Sequence, residues 1–488
     1  MAGIGIRLNR IFDKKSIISN LYGFFYSTMV TIAPMFLVIG TILIMGKVLG
    51  FSTVGYASRE LFACTVLYIF IFSLLSASPF NAVLSRYLSD IIYDERYQDI
   101  LPCYYLGLFL NLILSTVLGI PFCLHLYFVG KVELFYIATG YVGYISLVIV
   151  FYSMLYLSIF KDYKKMSLYF FIGMLSSFVL SLIFVFLLKM DIAYSMLLSL
   201  SIGFFLIAIM EYATIKSYFH ENSNRYRKIF AYFREYWELV VTNFFYTIGL
   251  YIHNFVFWTT DMKMVVADSF VCAQPYDMAT CLAMFTNISA SIIFISRIEM
   301  HFHERYKAYS EAVIGGRGSD INISKKRMFM QLSNELMNLV RIQFIISVII
   351  FLVCIIILPR FGFSGLTLRI YPCLAAGYFI LFIMYSEILF LYYFNDLKGA
   401  VLTSVMFCIV TFIGSIVATY LPDIWYGAGM LAGALVGWTV AYFRLRWVEK
   451  NLDRHIFCRG SILKKGKGKK PSYKIYDVYN TPKKKGER

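Results

Sequence analysis

SASPFNAVLSRYLSDIIYDERY (residues 76–97) and SASIIFISRIEMHFHERY (residues 289–306) read as two versions of one exit from an apolar segment. Each opens on Ser-Ala-Ser and passes through Ser-Arg, Ser85-Arg86 in the first and Ser296-Arg297 in the second. Each then crosses mixed acidic and aromatic residues and stops at Glu-Arg-Tyr, Glu95–Tyr97 and Glu304–Tyr306, about 210 residues apart. A membrane chain that writes the same exit twice, half its length apart, reads as a parallel duplication, with the copies at the same end of two equivalent bundles.

Composition supports a lipid environment. The 488 residues are 60% hydrophobic and 15% charged, with a mean hydropathy of +0.70. Soluble domains carry about 25% charge, so a soluble globular protein is excluded: no single core could bury this much Leu, Ile, Phe and Val. The 39 Tyr and 46 Phe suit interfacial belts and a wide lipid-facing wall. Nine Cys are scattered singly, without Cys-x-x-Cys or a His at ligand spacing, and read as small apolar fillers with no zinc or redox site.

Runs long enough to cross about 30 Å of hydrocarbon occur at 21–48, 60–86, 101–129, 133–160, 165–188, 192–215, 238–259, 277–298, 340–359, 371–395, 399–421 and 424–446. The first is too long for the apolar core of a signal peptide and lacks a cleavage site, so it is read as a retained span. Of the 45 Lys and Arg, 38 fall on the side of the N-terminus, the even-numbered connections and the tail, and 7 on the other. With the 15 of the tail from Arg444 set aside, the contrast is still 23 to 7. The positive-inside rule then puts both termini in the cytoplasm.

The expected fold is an all-α integral membrane protein of about twelve transmembrane helices in two six-helix bundles. The bundles are placed at 1–215 and 238–446. Between them, 216–237 is expected as a cytoplasmic amphipathic connection, and 447–488 as a basic disordered tail drawn to anionic lipid. The net charge of +17 resides largely on that side and needs no nucleic-acid partner.

Polar groups inside spans point to a pathway or a buried pair. Span 7 offers Asn243, His253 and Asn254, with Asp261 at its outer end; Asn243, Asn254 and Asp261 fall on roughly one helical face. Gly249 is read as a loosening point. Asp277 and Asn287 follow in span 8, and Asn81, Asn111 and Glu387 lie in spans 2, 3 and 10. Amides, hydroxyls and aromatic rings around a cavity would suit a sugar-like substrate. The competing reading makes His253 and Glu387 packing residues, and Glu211 an interface residue near the inner end of span 6. Arg86, Arg297 and Glu299 stand at the expected cytoplasmic mouth; the arginines either anchor their helices by snorkelling or gate the cavity. Metal, phosphate-loop and nucleophile motifs are absent, so neither an enzyme nor a cofactor is expected.

Four stretches carry a resemblance: MAGIGIRLNRIF (1–12), RYLSDIIYDERYQDILPCYY (86–105), the run from Tyr276 to Ile321 containing HERYKAYSEAVIGG, and SEILFLYYFNDLKGA (386–400). They are similar to the PelG family, membrane proteins of the Pel exopolysaccharide system in the multidrug/oligosaccharidyl-lipid/polysaccharide flippase superfamily. The likeness covers most of residues 1–450. It implies a bacterial cytoplasmic-membrane transporter with a cavity between two bundles and export of an amino-sugar polymer. Its implied partners are a cytoplasmic glycosyltransferase (PelF-like) and membrane proteins (PelD- and PelE-like). No binding residues carry over. Span 1 lacks Asp and Glu, which sets it apart from drug exporters that use a cation site there. Two alternatives stay open: a flippase of lipid-linked oligosaccharide, and a scaffold recruiting a glycosyltransferase.

Overall fold

The computed structural model describes residues 34, 36–159, 163–287, 299–361 and 364–457. Its helices are α1 (Phe36–Val48), α2 (Tyr56–Tyr93), α3 (Ile100–Phe128), α4 (Leu134–Ile159), α5 (Tyr163–Leu182), α6 (Ile192–Tyr218) and α7 (Tyr226–Glu235). After them come α8 (Trp237–Phe257), a two-stranded antiparallel hairpin of β1 (Met264–Val266) and β2 (Phe270–Cys272), and α9 (Gln274–Asn287). The chain continues through α10 (Glu299–Gly315), α11 (Gly318–Ile357), α12 (Gly365–Tyr393), α13 (Leu397–Ala418) and α14 (Ala428–Phe457).

Ten helices among the described residues are long and apolar enough to cross a membrane, which makes this a multi-pass membrane protein. The remaining two apolar runs of the sequence, 21–48 and 277–298, lie partly outside the described residues. So do Arg297 and the tail from 458, and of Glu299 only its place as the first residue of α10 is described.

The helices pack as two groups. One, α1 to α6, closes over Val38, Met45, Phe62, Leu147, Phe204 and Ile207. The other, α8 to α14, closes over Phe257, Tyr276, Tyr371, Tyr378, Phe390 and Phe407. The seam between them is formed mainly by α2 against α8. Close helix approach in lipid depends on small residues, and α14 carries them at four-residue spacing: Gly429, Gly433 and Gly437. A Cβ at Gly433 would stand inside Thr411, and one at Gly429 inside Ser415, so α13 and α14 touch backbone to backbone.

Two sequence expectations need correcting. The two Glu-Arg-Tyr stretches are not equivalent exits. Glu95, at φ 56°, and Arg96 form the turn between α2 and α3, whereas Glu304–Tyr306 lie inside α10, which runs on to Gly315. The second copy is followed by α11, whose 40 residues extend about 60 Å; only its last part is the apolar run 340–359. Gly249 does not loosen α8. The helix is continuous through it, and the missing side chain admits Phe407, whose Cε1 would lie 2.4 Å from a Cβ there. The connection between spans 7 and 8 contains the hairpin.

At 226–235 the connection forms a helix with one buried and one exposed side. Ile229 of α7 is buried, Tyr232 Oη donates to Asp90 Oδ2 at 2.6 Å, and Phe233 meets Phe80 edge-on, while Arg227 and Lys228 stay exposed. Burial and the contact with Asp90 hold the Tyr232 phenol well above its ordinary range.

Candidate substrate cavity at the seam

A cavity of about 550 Å³ opens between the two helix groups. Its wall on α2 is Ser78, Asn81, Ala82, Ser85, Arg86 and Ser89, a spacing of three and four residues that puts all six on one face. The opposing wall is Asn243, Tyr246 and Thr247 of α8 with Tyr385, Tyr392 and Tyr393 of α12. Pro79, inside α2, removes the donor for the carbonyl of Leu75 and leaves the helix free to bend beside the cavity.

The lining combines amides with aromatic faces. Tyr246 and Tyr385 stack with ring centroids 4.7 Å apart. Asn243 Nδ2 donates to the Ser78 carbonyl at 3.2 Å, tying α8 to α2 across the seam, and Tyr392 Oη approaches Asn243 Oδ1 at 3.5 Å. Ser78 Oγ and Asn81 Oδ1 are buried with no partner among the described residues. A buried polar atom without a partner is costly, so these two would gain from any rearrangement of α2 that gave them one.

One end of the cavity is the end of α7. There Arg86 Nη1 donates to Asn395 Oδ1 at 3.0 Å, and its guanidinium lies 4.2 Å from the centre of the Tyr236 ring. Arg86 therefore joins α2 to the second helix group. Nearby, Asp396 is fully buried and takes both Nε and Nη2 of Arg444, the latter at 2.9 Å; Asp99 is paired with Arg96 at 3.2 Å and accepts from Ser223 Oγ.

About three helical turns before Ser78, towards the start of α2, the hairpin is laid against the helix. Tyr68 Oη donates to the Val271 carbonyl at 2.8 Å and accepts from the Val271 amide at 3.0 Å. The Tyr68 ring stacks on Trp258 at 5.3 Å, and Tyr56 Oη reaches Met264 Sδ at 3.4 Å.

Of the sequence candidates, Asn81, Arg86 and Asn243 come together here. The others whose side chains are described line no part of this cavity. Asn254 Nδ2 donates to Asp277 Oδ1 at 2.7 Å, and that carboxylate also accepts from Trp258 Nε1 and the Ala273 amide, so the pair locks α8, the hairpin and α9 together. His253, fully buried, lies between Tyr276 Oη at 2.9 Å and Tyr378 Oη at 3.2 Å. Asn287 donates to the carbonyls of Ala283 and Ala375 and accepts from Ser347, joining α9, α11 and α12. Glu387 accepts from Trp438 Nε1 at 3.1 Å; Asn111 donates to the Gly107 carbonyl within α3. Glu211 is buried, with no partner for either carboxylate oxygen among the described residues. Asp261 is exposed, beyond the end of α8, and so leaves the face that Asn243 and Asn254 were expected to share with it.

Sequence reasoning missed the tyrosines. Their signal was present as spacing, Tyr385 and Tyr392 seven apart on α12 and Asn243, Tyr246 and Thr247 at intervals of three and four on α8. With 39 Tyr in the chain, spacing alone did not single them out.

The helix order, the seam and the cavity together define a transporter fold. Residues of this chain superpose on an inward-facing multidrug resistance MATE family transporter of the MOP superfamily, with TM-score 0.58, 12% identity, and 87% of this chain and 96% of the other covered. A MATE in the straight conformation gives TM-score 0.57 at 14% identity over 88% and 96%. An outward-facing MATE family transporter gives 0.56 at 14% over 88% and 96%. At such identities the likeness speaks for the fold, that of a membrane transporter. Residues 1–457 match the family PelG, "Putative exopolysaccharide Exporter (EPS-E)", and the chain belongs to that family. Among curated proteins there is no significant sequence match.

Proposed function

We propose that this chain exports an amino-sugar exopolysaccharide of the Pel type across the bacterial cytoplasmic membrane, through the cavity between α2, α8 and α12. The observation that carries the reading is the lining itself. Ser78, Asn81, Ser85 and Asn243 line it together with Tyr246, Tyr385, Tyr392 and Tyr393, and hydroxyls and amides bind sugar hydroxyls while aromatic faces stack on sugar rings. The family description, an exporter of exopolysaccharide, supports the same substrate class.

In this reading twelve spans form two six-helix halves with both termini in the cytoplasm. The α7 end is the inner end and the hairpin end the outer one, and α7 and the basic tail lie against anionic lipid. Transport alternates between two closures, Arg86 with Asn395 and Tyr236 inside, and the hairpin on α2 outside. A PelF-like glycosyltransferase supplies the polymer at the inner end, with PelD- and PelE-like membrane partners beside it.

The test is Asn81→Leu and Asn243→Leu in cells that make the polymer, with secreted polymer and membrane-inserted protein measured together. Secretion should fall at least tenfold while inserted protein stays near wild type. Unchanged secretion would refute a cavity at this seam and favour a scaffold that only recruits the glycosyltransferase.

A further inference from the structure

The fold joins two cysteines that the sequence left as isolated fillers. Cys64 Sγ on α2 and Cys272 Sγ on β2 lie 3.2 Å apart, and both residues are buried. They belong to opposite helix groups, 208 residues apart in the chain, and sit beside the Tyr68–Val271 hydrogen bonds that hold the hairpin down. We propose that Cys64 and Cys272 form a reversible disulfide that bolts the hairpin to α2 and arrests transport with that end shut. The inference rests on the transport reading above, in which the hairpin must part from α2 for polymer to leave.

The distance between the sulfurs and the proposed orientation support a disulfide over other thiol chemistry. A disulfide bond is about 2.05 Å long, so the sulfurs need to approach by only about 1 Å. A metal held by two thiolates at about 2.3 Å each would keep the sulfurs farther apart than they are. In the orientation proposed above, the hairpin end faces the oxidising side of the membrane, where disulfides persist.

The oxidant is itself a disulfide, and the chemistry is thiol–disulfide exchange. With the hairpin lifted, the thiolate of one cysteine attacks a sulfur of the oxidant, making a mixed disulfide and releasing one oxidant thiol. On reclosure the second cysteine displaces the remaining oxidant thiol. Two protein thiols lose two protons and two electrons, and the oxidant disulfide becomes two thiols. Excess external thiol reverses both steps.

The experiment uses the full-length protein in membranes treated with oxidised glutathione. Peptide mapping without reduction should recover a peptide pair linking residues 64 and 272, lost on adding dithiothreitol. Polymer export should fall at least tenfold with oxidant and return with dithiothreitol. Cys64→Ser and Cys272→Ser should each export equally with and without oxidant, and either variant suffices if the other does not fold. Absence of the linked peptide overturns the bond, and this readout needs no transport. A linked peptide with undiminished export overturns the latch. Failure of the cavity variants to affect secretion would instead strike the transport reading.

Discussion

Tyr68→Phe isolates what the hairpin latch is worth. The phenylalanine ring keeps the stack on Trp258 and the contacts with Phe122 and Phe270, and it deletes only the hydroxyl. Both Val271 backbone groups then lose their partner. A net hydrogen bond is worth about 0.5–1.5 kcal/mol, and an orphaned buried partner costs about 1–3 kcal/mol. Val271 is half-buried, so water recovers part of that loss, and about 2 kcal/mol remains for the pair. At about 1.4 kcal/mol per tenfold change, the closed-to-open ratio of the hairpin shifts about 30-fold. The assay is the labelling rate of Cys272 by a membrane-impermeant maleimide in a Cys64→Ser background, because Cys272 is buried while the hairpin is closed. Labelling should speed up about 30-fold, with the melting temperature of the detergent-solubilised protein nearly unchanged. Labelling at the parent rate would refute the latch; equal acceleration at a buried cysteine outside the hairpin such as Cys373 would show global loosening instead.

Two further predictions concern the frame that holds the cavity. Gly249→Ala drives a methyl into Phe407 where α8 meets α13, and overpacking of this kind costs about 1–3 kcal/mol; the solubilised protein should melt lower, and Phe407→Leu should restore part of the loss. Arg444→Ala leaves the fully buried Asp396 carboxylate unpaired, a loss of about 3 kcal/mol read as lower inserted protein. Asp396→Asn in the same chain should recover much of it, and a double variant no better than the single one would show that the pair carries little.

One wall of the cavity carries two of the residues the sequence singled out, Asn81 and Arg86. The stretch that opens at Ser76 carries Ser78, Asn81, Ser85 and Arg86 at intervals of three and four, because a single helix displays its own periodicity without help from the rest of the chain. Asn243 was legible as an amide in an apolar span. By contrast, Asn254, Asn287 and His253 share that signature and turned out to be tied into packing. An intramembrane amide reads the same in sequence whether its partner is substrate or a neighbouring helix. Only the position of the partners, Asp277 for Asn254 and Ser347 for Asn287, separates the two cases.

By itself the sequence determined the class of this protein: a multi-pass helical membrane protein, because lipid leaves hydrogen-bonded helices as the economical way to bury so much apolar chain. Length and hydropathy are local quantities, and they placed the spans well. The tertiary structure decided which faces meet across the seam. It brought Cys64 to Cys272, Arg86 to Asn395 and the hairpin to Tyr68, contacts separated by some 200 to 300 residues. Such pairings depend on how helices are rotated and stacked against one another, and no local pattern along the chain encodes that rotation.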